Sequence, residues 1–149
     1  MSRHLTSFDS GAGRYVVTGV DVVVVEQDRA LAQPIRRTLE SGGCRTRWID
    51  DGREAVTALA GGAEPALRPR VVLLGWDLPG IDGLGVLACM LGAGALKRTR
   101  VVMRADGASE ADLRHARMLG VHEQVTEPST VAELVAVVYR ALRRSAEVP

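Results

Sequence analysis

Three short runs of consecutive apolar residues, VVVV at 22–25, VVLL at 71–74 and VVM at 101–103, constrain this chain more than any other feature. A helix lying on a core needs apolar residues only every third or fourth position, and a half-buried strand needs them at alternate positions. Short continuous runs fit strands covered on both faces, as inside a parallel sheet. The β-branched segments fall at 20–26, 45–49, 70–76, 100–105 and 122–126, with segments of helical pattern between and after them, at about 29–41, 52–60, 83–95, 108–118 and 129–144. This alternation predicts an α/β fold of (βα)5 type, a doubly wound parallel five-stranded sheet with helices on both faces. RTRWI at 45–49 carries Arg45 and Arg47 at alternate positions, which suits an edge strand with one wetter face. Short right-handed crossovers then favour the strand order 2-1-3-4-5, in which ligands sit at the carboxyl ends of strands one and three.

With 149 residues, 46% of them apolar and 25% charged, the chain has the material for one domain with one core. Residues 1–19, rich in Gly, Ser and Thr without a clear period, read as a tail or loosely attached strand; 20–145 form the domain and 146–149 a second tail. The 19 basic and 18 acidic side chains leave a net charge of +1, too weak a field to draw in nucleic acid or an anionic membrane. Cys44 and Cys89 form no metal-ligand or disulfide pattern, and His115 and His122 lack a second ligand at metal spacing, so both histidines are expected at the surface. No segment reaches the roughly 18 apolar residues of a membrane span, and the N-terminus lacks the apolar stretch of a secretory signal, so a cytoplasmic protein is expected.

Four strand ends should converge on the carboxyl rim: Glu26-Gln27-Asp28, Gly75-Trp76-Asp77, Arg104-Ala105 and Thr126-Glu127-Pro128. Asp28 suits the N-cap of the first helix, and Pro34, about one turn in, should kink that helix or delay its start. VVVVEQD, then LPGIDG after the third strand, then an X-Pro opening the last helix, resemble in order and spacing the receiver domain of bacterial two-component response regulators, a flavodoxin-like fold. The resemblance covers roughly 20–144. It implies an acidic pair that binds Mg²⁺, an Asp ending strand three that accepts a phosphoryl group, and a Ser or Thr and a Lys that contact it. The matching positions here hold Glu26 and Gln27, Gly75, Arg104 and Glu127, and the position of the family's switch aromatic holds Gln124.

Gly75 has no nucleophile, so aspartyl phosphate cannot form there. With Gln27 contributing no charge, Mg²⁺ binding is expected to be lost and no cofactor is expected. Asp77, two residues on, is the alternative phosphoacceptor, at a different depth and direction. For Arg104 two readings stand: an ion pair with Glu26, Glu127 or both that replaces the metal, or a side chain extended into solvent.

Between Gly83 and Leu96 the sequence GLGVLACMLGAGAL has no charged residue, so its helix either presents Leu87, Met90 and Leu91 to a partner or exposes only small Ala and Gly residues. The last helix offers a second flank at Val137 and Arg140. The expectation is an atypical receiver domain, not an enzyme, acting in signalling as a phosphorylation-independent interaction module with a protein partner or as a homodimer. The rivals are a sensor of small anions in the altered pocket and residual phosphotransfer at Asp77.

Overall fold

The computed structural model describes residues 6–9, 14–17, 19–61 and 66–147, with side chains from 19 to 61 and from 66 to 145. Its principal sheet comprises β3 (Val22–Val25), β4 (Thr46–Ile49), β6 (Val71–Gly75), β7 (Arg100–Arg104) and β8 (Glu123–Val125). They lie in the spatial order β4-β3-β6-β7-β8, all parallel, which is 2-1-3-4-5 when these five are counted in chain order. The helices are α1 (Arg29–Ser41), α2 (Gly52–Leu59), α3 (Gly83–Gly92), α4 (Glu110–Met118) and α5 (Val131–Glu147), as the expected doubly wound, flavodoxin-like fold requires.

The continuous apolar strands divide their side chains between two cores. Val23, Val25, Val72, Leu74, Val101 and Met103 face α2, α3 and α4, whereas Val22, Val24, Val71, Leu73 and Val102 face α1 and α5. Period-2 alternation on a sheet covered on both sides produces this split. On the first side Leu87 and Met90 are fully buried, so these two expected interface residues belong to the core. The uniformly apolar α3 hid which of its faces turns inward. The outward side carries the small residues Ala88, Cys89, Gly92 and Ala93 together with Leu91, the one expected interface residue of this helix that stays exposed.

Capping sets the helix ends. Asp28 Oδ1 accepts from Ala30 N at 3.0 Å, so Asp28 caps α1 as the sequence suggested. α1 starts at Arg29 and runs through Pro34 instead of starting after it. Asp51, Asp82 and Ser109 cap α2, α3 and α4 in the same way. In the stretch read as a tail, β1 (Thr6–Asp9) and β2 (Arg14–Val17) pair antiparallel, and β2 runs parallel to β5 (Ala66–Leu67). These three strands form a separate sheet.

His115 is exposed, but His122 is not the surface residue expected: it lies half-buried before β8, and its Nδ1 accepts from Val101 N at 2.8 Å. Burial, and then the nearby Arg100 charge, hold its pKa below the usual 6.5. Protonation would also abolish the acceptor at Nδ1. The unfolded chain therefore takes up a proton near pH 6.5 that the folded chain resists, and the associated stability, full above that pH, is lost as pH falls. We expect the melting temperature to drop between pH 7 and 5, and to drop less in His122→Asn, whose amide oxygen keeps the acceptor without titrating. Equal slopes in the two proteins would contradict this.

Candidate functional site

Glu26 immediately follows β3, Gly75 ends β6 and Arg104 ends β7, and the register pairs Gly75 with Arg104 and Val25 with Leu74. The three residues thus lie in a row across the carboxyl rim. β3 and β7 are not neighbours; β6 lies between them, and at a spacing of about 4.8 Å per strand their backbones are about 10 Å apart. Glu26 and Arg104 nevertheless meet. Arg104 Nε donates to Glu26 Oε1 at 2.6 Å and Nη2 contacts the same oxygen, a paired approach that fixes the planar guanidinium.

The meeting takes place over Gly75. A Cβ built there would lie 3.4 and 3.5 Å from Glu26 Oε1 and Oε2 and 3.2 Å from Val25 O, so the carboxylate fills the space next to the absent side chain. Glu26 is only 3% exposed. Its other oxygen accepts from Asp28 N at 3.2 Å, and its backbone carbonyl accepts from Trp48 Nε1 at 2.7 Å, anchoring the residue to β4. A carboxylate this buried needs both a counter-charge and hydrogen bonds, and here it has them.

Arg104 has a second acid. Its Nη1 donates to Asp106 Oδ1 at 2.5 Å, so the guanidinium bridges two carboxylates. The partner is Asp106 and not Glu127, which lies exposed before Pro128. The sequence signal for Asp106 was its place two residues beyond Arg104 in a turn closed by Gly107, whose φ is +85°. Gln27 and Asp77 are both exposed, outside this cluster.

Gln124, on β8, is tied down. Its Nε2 donates to Leu113 O at 2.7 Å and its Oε1 accepts from Arg117 Nη1 at 3.0 Å, so one amide clasps α4 to the sheet. Gln124→Ala should raise amide exchange in the last turn of α4 about fivefold, the effect of losing about 1 kcal/mol of local hydrogen bonding. Unchanged exchange would mean that core packing alone holds the helix. Beside β8, Arg140 on α5 pairs with Glu123 and Val137 is half-buried, while on the opposite side of the sheet Leu91 of α3 is 47% exposed.

A parallel doubly wound sheet in the order β4-β3-β6-β7-β8 with its charged cluster at the carboxyl rim defines a flavodoxin-like domain. The family described as response regulator receiver domain matches residues 22–139, and the chain belongs to that family. Receiver domains act in two-component signal transduction, interacting with other proteins. The chain is 31% identical over 128 residues to the DNA-binding response regulator MtrA of Mycolicibacterium smegmatis, matching 86% of this chain and 53% of that one. It is 34% identical over 143 residues to a protein-glutamate methylesterase/protein-glutamine glutaminase of Myxococcus xanthus, covering 90% of this chain and 40% of that one. The chain thus spans about half, or less, of the length of these curated relatives. Among solved structures, the phosphorylated cyanobacterial phytochrome response regulator RcpA superposes with a TM-score of 0.65 at 27% identity, over 80% of this chain and 88% of that one. A signal receiver domain of a putative Luxo repressor protein from Vibrio parahaemolyticus gives 0.72 at 19% identity, over 86% and 93%. Among the described residues no helix is long and apolar enough to cross a membrane.

Proposed function

We propose that this receiver domain is an atypical member that has given up phosphoryl chemistry and serves as a phosphorylation-independent interaction module. The observation that carries the proposal is the Glu26–Arg104 pair closing over Gly75. The position that holds the phosphoaccepting Asp in the resembled pattern has no side chain, and the space beside it is filled by the Glu26 carboxylate. An internal cation and its two acids stand where the metal and phosphoryl group would act.

The residues present do not fit Mg²⁺. The ion needs oxygen ligands in near-octahedral array, usually with one or two carboxylates. Here the one buried carboxylate already accepts from Arg104 and Asp28, Gln27 is uncharged and exposed, and Gly75 offers nothing. Asp77 lies exposed, two residues beyond the position that holds the acceptor in the resembled pattern, which does not favour it as a replacement. An anion sensor at this rim is disfavoured too, because the Arg104 charge is already shared between Glu26 and Asp106.

With no phosphoryl group to gain, the domain is not an enzyme, and its output is a constitutive contact with a protein partner or a second copy. Leu91, Val137 and Arg140 remain the candidate contact residues. The test is sedimentation velocity with and without beryllofluoride and Mg²⁺. We expect one unchanged assembly state, whereas a shift in sedimentation on adding the phosphoryl mimic would overturn the proposal.

A further inference from the structure

The net charge of +1 conceals how the charges are placed. Each helix starts beside the carboxyl end of the strand before it and runs back toward the amino edge, so strand ends and helix starts share one rim. The strand ends and the loops after them bring Glu26, Asp50, Asp77, Asp106 and Glu127 there. The caps add Asp28, Asp51 and Asp82, and the first helical turns add Glu54, Glu110, Asp112 and Glu133. Against these twelve acids the rim holds three cations, Arg29, Arg53 and Arg104, a balance of −9. The remainder of the chain has the other 16 basic and six acidic residues, a balance of +10.

At the opposite edge, cations lie where strands begin and helices end. Arg45, Arg70 and Arg100 stand at or just before the starts of β4, β6 and β7. Lys97, beyond α3, and Arg143 and Arg144, near the end of α5, are exposed. Two acids on that side, Asp21 and Glu40, are paired, with Arg45 at 3.4 Å and with Arg36 at 3.5 Å. Capping and helix dipoles account for the seven rim acids in caps and first turns. They do not account for the five at strand ends, nor for the arginines where strands begin.

We infer that the basic amino edge of one copy docks on the acidic carboxyl rim of a second, a head-to-tail contact held by charge complementarity. A two-fold dimer through either surface would set like charge against like. A nucleic acid could answer only the basic edge and would leave the −9 of the rim unmatched, whereas a second copy answers both. Each copy in such a contact keeps one free surface, so association is open-ended and depends on concentration. The inference rests on the constitutive-contact reading above, which it deepens by naming the second copy as partner; it does not need the loss of phosphoryl chemistry.

The test is sedimentation velocity of the full chain at about 20 and about 300 mM salt, where screening lengths differ several-fold. It includes two charge-reversal variants at exposed positions, Asp50→Lys/Asp77→Lys on the rim and Lys97→Glu/Arg143→Glu on the amino edge. We expect the wild type to associate at low salt and the association constant to fall at least about tenfold at the higher salt. Each variant alone should stay monomeric. Mixed, the two should form a one-to-one complex that grows no further, because the intact basic edge of the first fits the intact acidic rim of the second. The inference is overturned by a wild type that is monomeric at low salt, by association indifferent to salt, by variants that still self-associate, or by a mixture that stays monomeric. It is overturned too if a short DNA duplex binds the basic edge of a chain that does not self-associate. These runs contain no phosphoryl mimic, so their failure is distinct from a failure of the phosphorylation-independent reading.

Discussion

Replacing Arg104 with Leu should lower stability by about 3 kcal/mol and the melting temperature by about 5–10 °C, because it strands a buried carboxylate. Glu26 is 3% exposed, and without the guanidinium only the Asp28 amide would address it. Breaking a buried pair from one side is costly, while replacing both partners with neutral groups is often close to neutral. The double variant Glu26→Gln/Arg104→Leu should therefore recover more than half of the loss. Chemical denaturation of the wild type, both single variants and the double variant gives the coupling energy directly. An Arg104→Leu protein as stable as wild type would mean that the pair is incidental. The outer contact should matter less, since Asp106 is 27% exposed and Arg104 keeps Glu26 without it. Asp106→Asn should cost under about 1 kcal/mol.

Gly75→Asp is the second large effect, and it runs against the intuition that restoring a carboxylate restores a site. The new Cβ would sit 3.2 Å from Val25 O, and the new carboxylate would press on Glu26, already 3.4 Å from that Cβ. Crowding and like-charge repulsion together should cost about 2–3 kcal/mol. Gly75→Ala, which adds the crowding without the charge, should lose about 1 kcal/mol, and the difference between the two isolates the electrostatic part. We further expect Gly75→Asp to remain unphosphorylated by acetyl phosphate with Mg²⁺, since Arg104 still occupies Glu26. Wild-type stability together with phosphoryl incorporation in this variant would show that the site is an intact receiver pocket lacking only one atom group.

Much of this architecture could be read from the residues. The runs at 22–25, 71–74 and 101–103 have no period because both faces of their strands are buried, and that fact alone required helices above and below the sheet. Arg104 meeting Glu26 was one of two open readings, and the structure adds what spacing could not: the two side chains reach across an intervening strand because Gly75 leaves the way clear. Asp106 was missed in favour of Glu127, since the choice depended on how the Asp106–Gly107 turn folds back, which strand pattern does not encode. The face of α3 was illegible for a different reason. With nearly every residue apolar or small, its sequence carried no amphipathic signal, and Leu87 and Met90 were assigned outward although the core takes them. His122 looked like a lone surface histidine because its bond to Val101 spans two strands distant in sequence.

At the carboxyl rim, we propose, the Glu26–Arg104 pair replaces phosphoryl chemistry. Intact-protein mass after incubation with acetyl phosphate and Mg²⁺ tests it most directly. We expect a single unmodified species at every time point; an acid- and alkali-labile, hydroxylamine-sensitive phosphoryl adduct, mapped to Asp77 or any other carboxylate of the rim, would contradict this.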